Sequence, residues 1–294
     1  MPAVLSVRVI RRKIRSVGNI KKITRAMQMV AASKLKKVQE RLMAIRPYAD
    51  QIARMMASLT ERAPELDDPY LRPRPEVRRV AAVIITADKG LCGSYNANLL
   101  RHAQRFLAGK PGTPRLTLIG RKAVDSYRRA GTAAAETHVQ IPIDVPFADI
   151  RAMVGPVMDA YRSGEVDEVH LLFTRYVNAV TFQPGEVRFL PVAAAATAEG
   201  GAAPAAAGAE YIFEPPPAEI LTRLIPRYLE VTFHRYLLES MSSEYAARMN
   251  AMRNATDNAT EMIDSLTLTY NKARQAGITK ELLDIVGGAE ALKG

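Results

Sequence analysis

The chain has 294 residues, with 41 Lys and Arg against 30 Asp and Glu, a net charge of +11 and a single cysteine, Cys92. One cysteine excludes an internal disulfide and a multi-thiolate metal site, and fits a reducing compartment. No apolar run approaches the roughly 20 residues needed to span a bilayer, and charges from Arg8 onward leave no room for a secretory h-region. The expectation is a protein that is soluble or meets a membrane only through others.

The first part, residues 1–60, holds nearly all the charge asymmetry. Residues 1–50 carry 13 Lys or Arg and only two acids, Glu40 and Asp50, which accounts for the whole excess. A single-sign field of this kind points to an acidic protein surface, nucleic acid or anionic lipid. Apolar residues Ile10, Ile14, Val17, Ile20, Ile23, Met27 and Val30 recur every three or four positions. That spacing predicts a helix with a coiled-coil seam. The stripe continues through Leu35, Val38, Leu42, Ile45, Ile52 and Met56, with a kink expected at Pro47. Such a helix would reach about 80 Å, more than a compact domain requires.

The second part, residues 75–215, follows a Pro- and acid-rich linker that contains the Asp67–Asp68 pair, read as a solvated turn. "VRRVAAVIITAD", "RLTLIG" and "ETHVQI" are predicted strands, and "NANLLRHAQRFLAG" and "RKAVDSYRRAG" predicted helices. "FADIRAMVGPVMDAYRSG" is a predicted helix interrupted at Gly155–Pro156. "EVHLLFTRYV" and "VTFQPGEVRFLPV" are predicted strands of a hairpin. Alternating strands and helices predict an α/β sheet, mostly parallel, with an antiparallel edge. Residues 193–209 are an Ala/Gly-rich loop of low complexity.

The third part, residues 216–294, opens on "PPP" and carries apolar positions Leu221, Leu224, Ile225, Leu229, Phe233, Leu237 and Met241, then Met262, Ile263, Leu266 and Tyr270. It predicts a helix of about 100 Å, kinked at Pro226 and ended by Gly287–Gly288. The simplest packing pairs the two terminal helices as an antiparallel coiled coil with the α/β domain inserted between them. The stretch "AARMNAMRNATDNATEM" offers the seam mainly Ala and Met, which bury little area each. A pair so thinly packed is expected to sit inside something else.

Few residues point to chemistry. The loop "TADKGLCGSYNANLLRH", residues 86–102, has the strand–glycine–helix layout of phosphate-binding turns. Its Gly90 and Gly93 do not form G-x-G-x-x-G, and no P-loop pattern occurs. The loop reads as a turn, a partner contact or, failing both, a ligand site. Cys92 lacks a nucleophile's local signature and reads as a packing residue. His102, His138, His170 and His234 lack partners at metal-ligand spacing. The basic helix would suit nucleic-acid phosphates, yet residues 1–46 contain no aromatic side chain for stacking.

"IRSVGNIKKITRAMQMVAASKLKK" near the start, "SEYAARMNAMRNATDNATEMIDSLTLTYNKARQAGITKELLDIVGGAEAL" near the end and "TADKGLCGSYNANLL" between them resemble the gamma-subunit family of the F-type ATP synthases. The resemblance covers nearly the whole chain. It implies a long antiparallel coiled coil of N- and C-terminal helices with an inserted Rossmann-like α/β domain. It implies a non-catalytic rotor without a cofactor, coupling proton flow to ATP synthesis at beta-subunit sites. The implied partners are three alpha and three beta subunits around one copy of this chain, an epsilon subunit and a c-subunit ring. No nucleic acid is implied, and the membrane, at its cytoplasmic face, is met only through the c ring. The resemblance also assigns beta-subunit contacts to Lys22, Arg25 and Met27, to Asp88, Lys89, Gly90 and Cys92, to Arg248, and to Arg274, Gln275, Thr279 and Glu281. By spacing alone, each of these is an ordinary solvated helix-face or loop residue. The paired regulatory cysteines of chloroplast members are missing, so no thiol switch is expected.

Overall fold

The computed structural model describes residues 7–62, 68–192, 214 and 216–291. The low-complexity loop 193–209 and Asp67 lie outside these. Packing divides the chain into two compact units, one made of Met1–Val30 and Met249–Gly294 and the other of Ala31–Arg248.

The larger unit is built on a five-stranded sheet in the order β3-β2-β1-β4-β5. Strand β1 (Val80–Ile85) is apolar at every position and buried at every position, as a strand covered on both faces must be. It pairs in parallel with β2 (Arg115–Ile119) and with β4 (Glu168–Tyr176). β2 pairs in parallel with the short β3 (Glu136–His138). β5 (Phe182–Leu190) returns antiparallel on β4 as a hairpin. Pro184 and Gly185 sit in β5, an edge strand, where a missing donor is tolerated.

Alternate residues of β1 serve opposite faces. Ala82 and Ile84 pack with Leu99 and Ala103 of α2 (Tyr95–Ala108) and with Ala123 and Tyr127 of α3 (Arg121–Arg129). Ala81, Val83 and Ile85 pack into a larger core with α4 (Phe147–Arg162), the C-terminal part of α1 (Val7–Arg62) and the N-terminal part of α5 (Pro217–Ala291). Helix α4 is not interrupted at Gly155–Pro156. Burial of Met153, Val154, Val157 and Met158 on either side outweighs the single lost backbone bond. Likewise α1 continues through Pro47, and α5 continues through Pro226 and past Gly287–Gly288, where the sequence predicts its end.

Inside each unit α1 and α5 run antiparallel. In the larger unit Lys34 lies over the Tyr245 ring and Arg227 donates to the Tyr48 hydroxyl at 3.1 Å. In the smaller unit Arg11 donates to the Tyr270 hydroxyl at 2.6 Å and Thr24 meets Thr256 at 2.8 Å. A series of buried and half-buried positions on α1 steps by four and three residues without a break from Ile10 to Leu59, a heptad seam flanked by further half-buried residues such as Met27. The apolar stripe expected from sequence lies on this seam at Ile10, Ile14 and Val17 and again from Leu35 to Met56, and is corrected between Ile20 and Val30. The seam passes through Lys21, Thr24 and Gln28, whereas Ile20, Ile23 and Val30 face outward, 49%, 58% and 57% exposed. The sequence stripe steps by three too often, so it drifts around the helix away from a seam of period 3.5. On α5 the matching positions are Met252, Thr256, Ala259, Ile263, Leu266 and Tyr270, and Met262 is exposed.

Candidate functional site

Three surfaces carry the residues singled out by sequence. On α1, Lys22 and Arg25 are exposed and Met27 is half-buried beside the seam, next to the outward Ile20, Ile23 and Val30. The basic face is therefore also partly apolar. On α5, Arg274, Gln275, Thr279 and Glu281 are all exposed, and every side chain from Ile278 to Gly288 is exposed with them. Ile278, Leu282, Leu283, Ile285 and Val286 make that end apolar, and no described residue covers it.

The third surface is the loop between β1 and α2, and the fold builds it in detail. Ala87 at the end of β1 donates its N–H to Asn96 Oδ1 at 3.0 Å, and Asn96 Nδ2 reaches Cys92 Sγ at 3.1 Å. Cys92 is buried with Ala87, Tyr95 and Ala247. Burial pushes its thiol up, with nearby Arg248 opposing, so the sulfur is held as a neutral packing group. Asp88 accepts the N–H of Arg121 at 3.0 Å and caps α3. The loop backbone is pinned by Arg248, whose guanidinium donates to the carbonyls of Gly90 and Lys89. Arg248 is in turn held by Glu244 one helical turn away, at 2.6 Å, with both side chains mostly covered. Burial raises Glu244, and the hydrogen bond from Arg248 works against that rise.

The structure thus brings Asp88, Lys89, Gly90, Cys92 and Arg248 together, and it turns Cys92 and Arg248 inward. Sequence reasoning missed Glu244, although its i,i+4 spacing to Arg248 on a helix is a legible signal. It also missed Leu91, at the tip of this loop.

The same region decides the ligand question raised by the strand–glycine–helix layout. With β1 flanked by β2 and β4, chain direction switches at the carboxyl ends of β1 and β4, where an open α/β sheet binds ligands. Here α5 fills that crevice. Ser240 Oγ donates to the Ile85 carbonyl at 3.3 Å, and Ser243 Oγ to the Thr174 carbonyl at 2.9 Å. The Tyr95 hydroxyl donates to the Ser240 carbonyl at 3.1 Å, and burial raises that phenol far above its ordinary range. The α3 N-terminus, a natural anion site, is already occupied by Asp88 and by Thr86, whose Oγ1 accepts the Ala123 N–H at 2.9 Å. Gly120 lets these ends approach: its φ is 88°, and a Cβ there would lie 2.1 Å from the Thr86 carbonyl oxygen. The loop that looked like a phosphate cradle is closed by its own chain.

The histidines are dispersed. His102 pairs with Glu186 at 2.6 Å and His170 with Glu168 at 2.9 Å. Burial lowers His138, His170 and His234. Among the described residues no three His, Cys, Asp or Glu side chains gather as a metal requires, and no described helix is long and apolar enough to cross a membrane.

A family model described as ATP synthase matches residues 6–292. The chain is 44% identical over 285 residues to the ATP synthase gamma chain of Heliobacterium modesticaldum, covering 96% of this chain and 98% of that one. It is 43% identical over 286 residues to the ATP synthase gamma chain of Symbiobacterium thermophilum, covering 97% and 98%. Among solved structures it is similar to a chain of the central stalk and c-ring of the Tetrahymena thermophila mitochondrial ATP synthase. That match has a TM-score of 0.60 and 27% identity, and covers 79% of this chain and 99% of that one. A chain of the OSCP/F1/c-ring assembly of the Euglena gracilis mitochondrial ATP synthase shares the fold, with a TM-score of 0.66 at 21% identity over 97% and 94% of the two chains.

Proposed function

The chain belongs to the ATP synthase gamma-chain family, and we propose that it is the central-stalk rotor of such an enzyme, one copy per complex turning inside a collar of three alpha and three beta subunits. The observation that carries this is the match to named gamma chains at 43–44% identity along 96–97% of this chain. The protein does no chemistry itself. It couples proton flow through the membrane sector to ATP synthesis at the beta subunits. Residues 1–60 and 216–294 form the shaft, and residues 75–215 the domain that meets the epsilon subunit and the c ring. The complex lies on the cytoplasmic face of the cell membrane, which this chain reaches only through the c ring.

In this reading Lys22, Arg25 and Met27 on α1, and Arg274, Gln275, Thr279 and Glu281 on α5, meet beta-subunit loops. The α1 charges meet acidic loops through exposed pairs worth up to about 1 kcal/mol each. Weak, solvated contacts suit a shaft that must leave each angular position. Asp88, Lys89 and Gly90 form a second contact, with Cys92 and Arg248 supporting it from behind. A plugged sheet crevice supports the non-catalytic role.

The test is co-expression with the alpha and beta subunits of the same organism, followed by native mass and ATP turnover. An assembly holding one copy of this chain, with turnover that depends on it, is the expected result. No association would remove the rotor reading and direct attention to the basic helix and duplex DNA.

A further inference from the structure

Arg227 on α5 touches each of the three helices that cover one face of the sheet. Its guanidinium carbon lies 3.7 Å from the centre of the Phe147 ring at the start of α4 and 5.7 Å from the centre of the Tyr48 ring on α1. Its Nε donates to the Tyr48 hydroxyl at 3.1 Å, and its Nη1 donates to Glu230, one turn on, at 3.4 Å. Glu230 is 8% exposed, so its carboxylate needs partners. The second is Arg151 of α4, whose Nε donates to it at 3.0 Å. Two further contacts join the same elements. The His234 ring on α5 meets the Phe147 ring edge-on at 6.3 Å, and Arg41 of α1 pairs with Asp144 just before α4.

These ties differ in kind from the core beside them. Ile52 of α1, Val154 of α4, and Ile225 and Leu229 of α5 are buried in one cluster with the sheet. Burial of this kind is non-directional: it resists separation, yet packed helices still shift past one another by small amounts. A guanidinium set against two rings and bonded at its edge has one favoured orientation. The Arg227 side chain is 39% exposed, so its ion pair adds little to stability. What it supplies is a fixed angle between α5, α4 and α1.

We propose that Arg227, with Phe147 and Tyr48, is a clamp that fixes the angular position of α1 and α5 on the α/β domain, and so passes rotation from that domain to the two helices. These are positioning residues. The proposal rests on the rotor reading, in which rotation enters through the α/β domain during ATP synthesis. ATP turnover by the chain with alpha and beta subunits alone drives no membrane sector and puts no load across the clamp. The clamp is silent in that reaction and loaded in synthesis.

The experiment compares two assemblies of the full chain. One holds its alpha and beta subunits and is read by ATP turnover. The other is the complete enzyme in vesicles, read by ATP synthesis at a fixed proton gradient. Arg227→Met keeps the apolar stem and removes the guanidinium. Synthesis is expected to fall about threefold, the size of one stacked cation at a partly exposed site, with turnover of the smaller assembly unchanged. Synthesis at the parent's rate overturns the clamp. So does an equal fall in both reactions, which marks a general loss of structure. If Arg227→Met does not assemble, Tyr48→Phe decides, because Tyr48 is 45% exposed and loses only the hydroxyl that accepts from Arg227. The same split, of about twofold, is expected for the loss of one hydrogen bond, and synthesis at the parent's rate again overturns the clamp. Failure of the unsubstituted chain to support either reaction overturns the rotor reading, and the clamp falls with it.

Discussion

The same two helices pair in both compact units, with the same heptad spacing, yet the two seams are chemically different. In the larger unit α1 contributes Ala31, Leu35, Val38, Leu42, Ile45, Ala49, Ile52, Met56 and Leu59, and much of this seam joins the sheet core. In the smaller unit α1 contributes Ile10, Ile14 and Val17, then Lys21, Thr24 and Gln28. Opposite them on α5 stand Met252, Thr256 and Ala259. Three apolar side chains of that α1 segment, Ile20, Ile23 and Val30, face outward and leave the seam to polar residues. The difference teaches where folding energy lies. One seam is sealed by its own chain, while the other spends its apolar area on its outer surface, as a part surrounded by other proteins would.

The largest expected contrast comes from one substitution in each seam. Leu35→Ala, at a position 6% exposed, should cost about 2–5 kcal/mol by denaturant unfolding. Thr24→Ala, 9% exposed, should cost no more than about 1.5 kcal/mol, the worth of one hydrogen bond. Equal costs would dissolve the distinction.

A second prediction separates stability from function at the exposed end of α5. Replacing Arg274, Gln275 and Thr279 together by Ala should leave the melting temperature of the chain unchanged, because none of them is covered. Turnover of the assembled complex should fall on the order of tenfold, equivalent to about 1.4 kcal/mol. Full turnover would argue that these residues touch nothing.

The Thr24–Thr256 contact offers a finer probe of the polar seam. Thr24 Oγ1 is also 3.1 Å from the Lys21 carbonyl, and Thr256 Oγ1 is 2.8 Å from the Met252 carbonyl. Two hydroxyl protons face three acceptor positions, so only two of these bonds form at once. Replacing both residues by Val removes donor and acceptor together and should change stability by less than about 1 kcal/mol, in either direction. A loss above 2 kcal/mol would make the polar layer a principal support of the smaller unit.

The smallest effect concerns pH and belongs to the larger unit. Burial depresses His138, His170 and His234 below the ordinary value of 6.5. A depressed group contributes stability that is complete above 6.5 and is lost as pH falls from there through the folded-state value. The larger unit should therefore melt at a lower temperature at pH 5.5 than at pH 7.5, and His170→Gln should reduce that slope. A flat profile over this interval would mean the rings stay accessible to water.

Sequence alone determined the element types and their order. Six apolar residues in succession at β1 demand cover on both faces, and strands alternating with helices demand crossovers. The basic bias of residues 1–50 and the three motifs were equally plain, because local composition and spacing express them directly. Tertiary structure decided what depends on a partner surface. The seam runs through Thr24 and not Ile23, because two helices in register share a 3.5-residue period that the apolar residues of α1 leave between Ile20 and Val30. Helix α4 passes through Pro156 because neighbouring side chains are buried. Cys92 turns in, Leu91 turns out, and Arg248 closes on the loop from 158 residues away. The sheet crevice is filled by Ser240 and Ser243, whose hydroxyls found strand-end carbonyls only when α5 packed there.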